Sequence, residues 1–448
     1  MTTTFDRDDM MSVQELLKRE AKPVPPVLLE ESPRYLGSED LPKERYYSRA
    51  FHDLEVERLW HKVWQIACRE EDIPNVGDYV VYDIARESII VARVAPGQIK
   101  AYHNACLHRG TQLCTGAGNV PELRCSFHGW TWNLEGTLKT IPCRWDFPHV
   151  EDENFSLPEC RVGTWGGFVF ITMDPDGESL EEFLENIPEH FSAWPLEDRW
   201  KAVHVCKTIR SNWKVAHEAF IEAYHVIATH PQSLAYTGDA NTQYDIYGRH
   251  NRMLTPFGVP SPHLGPVDEQ DIAEQIARDL QYGDPADVVV PEGVTARQVA
   301  AEALRAQIGG MTGTDLSAVS DAEMLDAIQY LVFPNFYPWA GVGAPLIYRF
   351  RPYGDEPEMC LMDVMLLFPL PEGAPRPPAA PIHYLGPDES WTAAAELGAL
   401  GPVFDQDSSN LEKIQRGLHS LRKDVTLADY AESRLRHFHQ VLMQYLEA

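Results

Sequence analysis

The sequence predicts an α+β chain: a small all-β unit, then a larger unit that mixes strands with long helices. Three observations predict it. From about residue 77, β-branched and aromatic residues gather in short runs separated by Gly, Pro, Asn and Asp. After Asp174-Pro175-Asp176-Gly177, a turn sequence, the runs give way to a mixture of strand and helix patterns. The last forty or so residues carry apolar positions at helical spacing.

The elements follow in order. Residues 1–45 read as an arm, with a short helical pattern at Val13–Lys18 and a proline run at Pro23–Pro26. Residues 46–174 make the β unit. It opens on a helical stretch, Leu54–Trp64, and continues in strands at Tyr79–Ile84, Ser88–Val94, Ile99–His103, Leu123–Phe127, Trp130–Trp132 and Gly167–Met173. Residues 175–448 make the second unit. Val203–Ile209 reads as a strand and Asn212–Thr229 as one helix stopped by Pro231, because proline cannot donate into a helix ladder. Residues 268–330 are polar and largely helical, either a lid over a substrate or a surface excursion. Strands are expected at Tyr330–Phe336, Leu346–Arg351 and Glu358–Phe368. Six prolines between Pro369 and Pro381 mark a surface crossing, and helices close the chain at Ser408–Leu421 and Leu427–Leu446.

With 38 Lys and Arg against 67 Asp and Glu, the net charge of −29 argues against binding to nucleic acid or an anionic lipid surface. No apolar run reaches the ~20 residues of a membrane span, and the charged N-terminus lacks a signal-peptide core, so a cytoplasmic location is expected. Eight cysteines are too few for a disulfide scaffold. Cys106, Cys114, Cys125 and Cys143 cluster, which in a reducing compartment points to metal chemistry. Cys114 and Cys143 fall outside the pattern below and are expected to be small buried hydrophobes.

That pattern is Cys106-Leu107-His108 followed by Cys125-Ser126-Phe127-His128. Each pair sets one thiolate and one imidazole on a loop between strands. Tetrahedral zinc is one reading. The Cys-His, Cys-His order suits a two-iron, two-sulfide cluster better, with both thiolates on one iron and both imidazoles on the other. Arg109-Gly110, Gly118-Asn119 and Gly129-Trp130 complete a segment that resembles the Rieske motif of ring-hydroxylating oxygenase α subunits. Phe127 stands where that family often has Tyr.

A second set of metal ligands lies downstream. His225 and His230 are five residues apart, about 140° around a straight helix, so they meet at one ion only if the helix distorts or ends. Two histidines and a carboxylate would make the facial triad of non-haem Fe(II) oxygenases. The resemblance implies Asp407 as the carboxylate, with Asp405 as its rival; on its own Asp407 also reads as a helix N-cap. It further implies Glu222 as an acidic bridge that orients His225 and accepts a hydrogen bond from His128 of a neighbouring chain. Glu218 shares a helix face with Glu222, and His217 reads as structural.

The resemblance covers roughly residues 40–448 and implies a Rieske domain followed by a helix-grip catalytic domain. The implied cofactors are a [2Fe-2S] cluster held by Cys106, His108, Cys125 and His128, and a mononuclear Fe(II) held by His225, His230 and Asp407. The implied reaction uses O2 and electrons that start from NAD(P)H and arrive through a reductase, often with a ferredoxin, because the chain has no dinucleotide fingerprint of its own. The implied assembly is a head-to-tail trimer, with or without β subunits. Ala219, Phe220, Val226, Leu331, Phe333, Asn335, Phe336, Tyr337 and Trp339 are expected to line the pocket, or to be core. Their apolar character suits an aromatic or polycyclic substrate, for which the resemblance implies cis-dihydroxylation as the favoured reaction. Monooxygenation or O/N-demethylation is the first alternative, and a Rieske electron carrier without oxygenase activity the second.

Overall fold

The computed structural model describes residues 7, 10–280, 284–370 and 373–447. Two compact units emerge: His52–Glu185 with Pro352–Glu356, and the remainder, in which residues up to Phe51 join 186–351 and 357–447.

The smaller unit is built on a seven-stranded antiparallel sheet. Its order is Gln65–Arg69, Phe168–Thr172, Glu159–Trp165, Gln98–His103, Glu87–Ala95, Asp78–Ile84 and Ala117–Asn119. The Ile89-Ile90-Val91-Ala92 run is buried throughout, which puts Glu87–Ala95 in the middle of the sheet rather than at an edge. A second, three-stranded sheet joins Leu123–Arg124, Thr131–Trp132 and Leu138–Thr140. Trp130, Trp132, Leu123, Ile90 and Tyr102 share one apolar cluster with Cys106 and Cys125. The expected helix at 54–64 starts and ends earlier, as an α-helix at Arg49–Glu55 that widens into a π turn at Val56–Trp60.

The larger unit carries a five-stranded sheet in the order Phe336–Pro338, Leu346–Tyr353, Glu356–Pro369, Arg199–Ile209 and His383–Leu385. The last of these pairs parallel with Arg199–Ile209, so the proline-rich crossing returns a strand to the sheet. A three-stranded sheet, Gln243–Tyr247, His250–Thr255 and Ala327–Leu331, lies in the same unit. The polar stretch after residue 268 folds as three helices, Glu269–Leu280, Ala296–Thr312 and Asp321–Leu325. Their apolar faces share a core of their own with Tyr236. Two long helices, Leu400–Ser420 and Ser433–Glu447, complete the unit. Among the described residues no helix is long and apolar enough to cross a membrane.

Three further expectations need correction. The helix at 212–229 is two short helices, Trp213–Glu218 and Val226–Thr229, with an irregular link. The strand at 330–336 is two strands, Ala327–Leu331 and Phe336–Pro338, because Asn335 and its neighbours turn between them. The penultimate helix begins at Leu400 rather than at Ser408, so Asp407 is an interior helical residue and not an N-cap.

Candidate functional site

The two Cys-His loops are built alike. In each, the cysteine carbonyl accepts from the N–H of the glycine four residues on: Gly110 to Cys106 at 2.8 Å and Gly129 to Cys125 at 3.1 Å. Both glycines sit at positive φ, +79° and +76°, which only glycine adopts cheaply. The cysteine N–H groups bond to Thr111 and Trp130, closing each loop across its base. Asn104 pins the first loop further, its Oδ1 accepting from the N–H groups of Leu113 and Cys114.

The four ligand candidates converge. Cys106 and Cys125 are buried and hydrogen-bonded to each other. Burial pushes the Cys106 thiol up. At Cys125 burial is outweighed by the N–H groups of Phe127 and His128, which hold a thiolate more readily. The rings of His108 and His128 are 4.7 Å apart, and His108 stacks on Trp130 at 5.1 Å with 4° between planes. Thiolates at the base and imidazoles at the rim form a donor set that fits a two-iron cluster with mixed ligation. His128 is exposed, and the Arg109 guanidinium lies 2.9 Å from its Nε2 and over the Phe127 ring. Cys114 is buried as expected, whereas Cys143 is exposed, carried out by a left-handed backbone turn.

The second site depends on the broken helix. Asn212 caps Trp213–Glu218, its Oδ1 accepting from Lys214 N–H at 2.9 Å. The chain then unwinds. Its free groups are caught from outside: the Ile221 carbonyl by Arg434 Nη1, and the Ala223 N–H by the Tyr244 hydroxyl. His225 precedes the second short helix and His230 ends it, just before Pro231. This break lets the two imidazoles face one point.

At that point His225, His230 and Asp407 each offer a ligand atom, all within 4.8 Å of one another. The tautomers follow from the outer partners. His225 Nδ1 faces Glu222 Oε1 at 2.5 Å, and His230 Nδ1 faces Gln406 Oε1 at 2.8 Å, so both Nδ1 atoms donate. That leaves both Nε2 lone pairs directed at Asp407 Oδ1, at 3.7 Å and 2.8 Å. Two imidazoles and one carboxylate on one side of a point fit a non-haem Fe(II) site. Asp405, the rival, is occupied elsewhere: it accepts from Trp391 N–H at 2.9 Å and from Ser390 Oγ.

Around the triad lie two environments. One is aromatic. Phe220 packs on Tyr348 at 5.5 Å and on Phe404 at 6.3 Å, and Tyr348 meets Phe404 at 5.9 Å and Trp339 at 5.8 Å. Phe404 lies one turn before Asp407 on the same helix. The other is acidic: Glu218, Glu222 and Glu432 share a cavity of about 540 Å³ with Ala219, His225 and Asp407. Of the expected pocket residues, Phe220 and Trp339 join the aromatic group and Ala219 the acidic cavity. Phe333 instead packs on Phe438 and Tyr445 of the C-terminal helix. Tyr348, Phe404, Tyr244 and Arg434 escape a sequence reading, since none sits in a motif. Gln406 stands between Asp405 and Asp407, but its bond to His230 does not show in the spacing.

Residues 63–151 match the family described as Rieske [2Fe-2S] domain, and residues 189–448 the family described as Ring hydroxylating alpha subunit (catalytic domain). The chain is 31% identical over 197 residues to the glycine betaine monooxygenase oxygenase subunit of Pseudomonas aeruginosa, covering 43% of this chain and 45% of that one. It is 32% identical over 186 residues to the anthranilate 1,2-dioxygenase large subunit of Acinetobacter baylyi, covering 40% of each. These matches span less than half the length of either relative. The fold resembles the quaternary ammonium Rieske monooxygenase CntA bound to L-carnitine, with TM-score 0.64, 18% identity, and coverage of 91% of this chain and 95% of that one.

Proposed function

The chain belongs to the ring-hydroxylating α-subunit family, with a Rieske domain before its catalytic domain, and we propose that it is the terminal oxygenase that monooxygenates a quaternary ammonium compound. The observation that carries this reading is the aromatic group of Phe220, Tyr348, Phe404 and Trp339 beside the Asp407 helix, in a chain of net charge −29. Aromatic faces attract cations, by about 0.5–1 kcal/mol at exposed sites and about 2 kcal/mol where the contact is desolvated. The acidic field draws the same charge inward. Glycine betaine and carnitine monooxygenases among the relatives favour this over cis-dihydroxylation of an arene, which the aromatic group would also accommodate and which the resemblance to anthranilate dioxygenase keeps as the second reading.

In this reading Cys106, His108, Cys125 and His128 hold the cluster, and His225, His230 and Asp407 hold the iron. When bound, the cluster stores and passes single electrons, and the ferrous ion offers open positions at which dioxygen is activated. The protein's own part is positional. Glu222 and Gln406 hold the two histidines as Nδ1–H tautomers, keeping both Nε2 lone pairs on the metal side. The aromatic side chains place an N-methyl group and exclude water from it. Electrons come from a reductase, directly or through a ferredoxin. The exposed His128 rim serves the Glu222 side of a neighbouring chain in a head-to-tail trimer.

Product analysis tests the reading. With a reductase system and isotopically labelled O2, a quaternary methylammonium substrate should lose a methyl group as an aldehyde carrying one labelled atom, with the other in water. A cis-diol carrying both labelled atoms, formed from an arene and not matched by any amine product, overturns it in favour of dioxygenation.

A further inference from the structure

We propose that Glu218 holds and supplies one of the protons that reductive activation of dioxygen consumes, from a carboxyl group that shares a cavity with His225 and Asp407. The inference rests on the oxygenase reading above and concerns a residue outside both ligand sets.

Glu218 closes the helix Trp213–Glu218, four residues before Glu222, and both line the cavity of about 540 Å³ that His225 and Asp407 also line. Its Oε1 lies 2.8 Å from His439 Nε2. His439 Nδ1 faces Arg45 Nη1 at 3.3 Å, and a guanidinium can only donate. Nδ1 therefore accepts, the single proton of a neutral ring sits on Nε2, and it points at Glu218. Tyr46 donates to Glu218 as well, from a hydroxyl 3.1 Å from the same His439 nitrogen. His439 is fully buried and burial holds it well below the usual imidazole range, so it stays neutral. Two neutral donors thus hold the Glu218 carboxyl group in place.

The remaining surroundings disfavour a charge. Burial raises the Glu218 carboxyl to about 8, with Tyr46, Lys214 and Arg45 offsetting only part of the cost. Glu432, on the same cavity wall, is raised by burial to about 7, with Glu222 adding repulsion. Glu218 therefore carries a proton at neutral pH, on a carboxyl group that His439 and Tyr46 anchor at the wall of the cavity.

The stoichiometry requires such a source. Inserting one atom of O2 into a C–H bond breaks the O–O bond, takes two electrons from the protein donor and two protons, and releases one water. Glu218 gives up one of these protons, and its carboxylate regains one from solvent at the cavity mouth, where Ile414 is exposed. Without substrate, reduction of O2 to hydrogen peroxide needs the same two protons, so the role can be read with no substrate in hand.

The test pairs two readouts on Glu218→Gln, Glu218→Asp and Tyr46→Phe. First, in iron-free protein, infrared difference spectroscopy should find a protonated-carboxyl C=O band at pH 7 that titrates near 8. The band should be lost in E218Q and should titrate higher in Y46F, which lacks one stabilising donor. Second, in iron-loaded enzyme with reductase, E218Q should slow dioxygen uptake by about 10²-fold, substrate present or absent, and E218D should recover part of it. No carboxyl band at neutral pH, or E218Q with wild-type uptake and solvent isotope effect, overturns the proposal. Loaded wild type that takes up no dioxygen overturns the oxygenase reading and this role with it, while the band still reports where the proton sits. If E218Q does not fold, the midpoint shift in Y46F and its matching shift in the pH profile of uptake decide.

Discussion

Cys106, His108, Cys125 and His128 lie in one short stretch, on two hairpin loops with the same internal hydrogen bonds. His230 and Asp407 are 177 residues apart and meet only because two helices of the larger unit are packed together. The first set is held by its own loops, down to the glycines at positive φ. The second is held by Glu222 and Gln406, which flank its ligands in sequence, and by Tyr244 and Arg434, which reach the broken helix from a strand and from the C-terminal helix. A locally specified site tolerates distant damage, and a site assembled across the fold does not. The two should therefore fail separately.

The largest separation is expected from removing one ligand of each. Asp407→Ala should abolish turnover and lower the iron content from about three to about two per chain, leaving the cluster's visible spectrum unchanged. His128→Ala should remove that spectrum and leave about one iron. Metal analysis and absorption spectra check both. Equal loss at both sites in either variant would contradict the independence argued above.

The next largest effect comes from Arg434. It is wholly buried and bonds to Asn251 Oδ1 at 2.5 Å, Gln329 Oε1 at 2.9 Å and the Ile221 carbonyl at 3.2 Å. Arg434→Met removes donors from all three and frees the link on which His225 depends. A loss of about 3 kcal/mol in the larger unit is expected, with weaker iron retention and an intact cluster. Differential scanning calorimetry with parallel cluster absorbance should show the two transitions moving apart.

This contrast also explains what the sequence discloses. The Cys-x-His and Cys-x2-His spacings are visible because ligand, turn and glycine lie within five residues of one another. The strand Glu87–Ala95 is equally plain, since its apolar run is unbroken. The break after Glu218 is invisible. Residues 219–225 read as helix by composition, and only Tyr244 and Arg434, brought in from a strand and a distant helix, make the unwound backbone affordable. Asp407 is found by resemblance, but its place inside a helix is not, because Leu400–Ser420 begins with Gly401 and Pro402 rather than with a strong cap. The strands at 243–255 escape notice for a related reason: Gln243, Asp245, Asn251 and Arg252 are polar yet buried, and Arg252 pairs with Asp245 at 2.7 Å.

Acid should open the larger unit before the smaller. His437 is pushed down by burial to about 4, and His217 and His439 well below the usual range. Each is neutral when folded, whereas the unfolded chain binds a proton below about 6.5. Their stabilising contribution is complete above that pH and is lost as pH falls toward the folded value. For His437 alone the loss is about 2 kcal/mol between pH 7 and 5. The carboxyls act in the opposite sense: Glu218, raised to about 8, favours the folded state least once pH exceeds that value. The larger unit's melting temperature should therefore peak near neutrality, and His437→Gln should flatten its acid side. A calorimetric profile in which the smaller unit melts first at pH 5 would reverse the comparison.

The smallest effect sharpens the comparison most, because it touches the iron site without touching the fold. Gln406 is partly exposed and bonds to Gln232 as well as to His230 Nδ1, so Gln406→Leu leaves little buried polarity behind. What it removes is the acceptor that keeps the His230 proton on Nδ1. The ring is then free to place that proton on Nε2, where it bonds to Asp407 and must be expelled before a metal can bind. Outer partners of this kind are worth about 10–100-fold in metal affinity, and this exposed amide should fall at the lower end, about 10-fold. Iron titration of the metal-free protein should show that loss with an unchanged melting temperature and cluster spectrum. The same titration on Gln406→Glu, which restores an acceptor and adds charge, should show affinity at or above that of the wild type; if both variants bind iron as the parent does, His230 is oriented by packing alone.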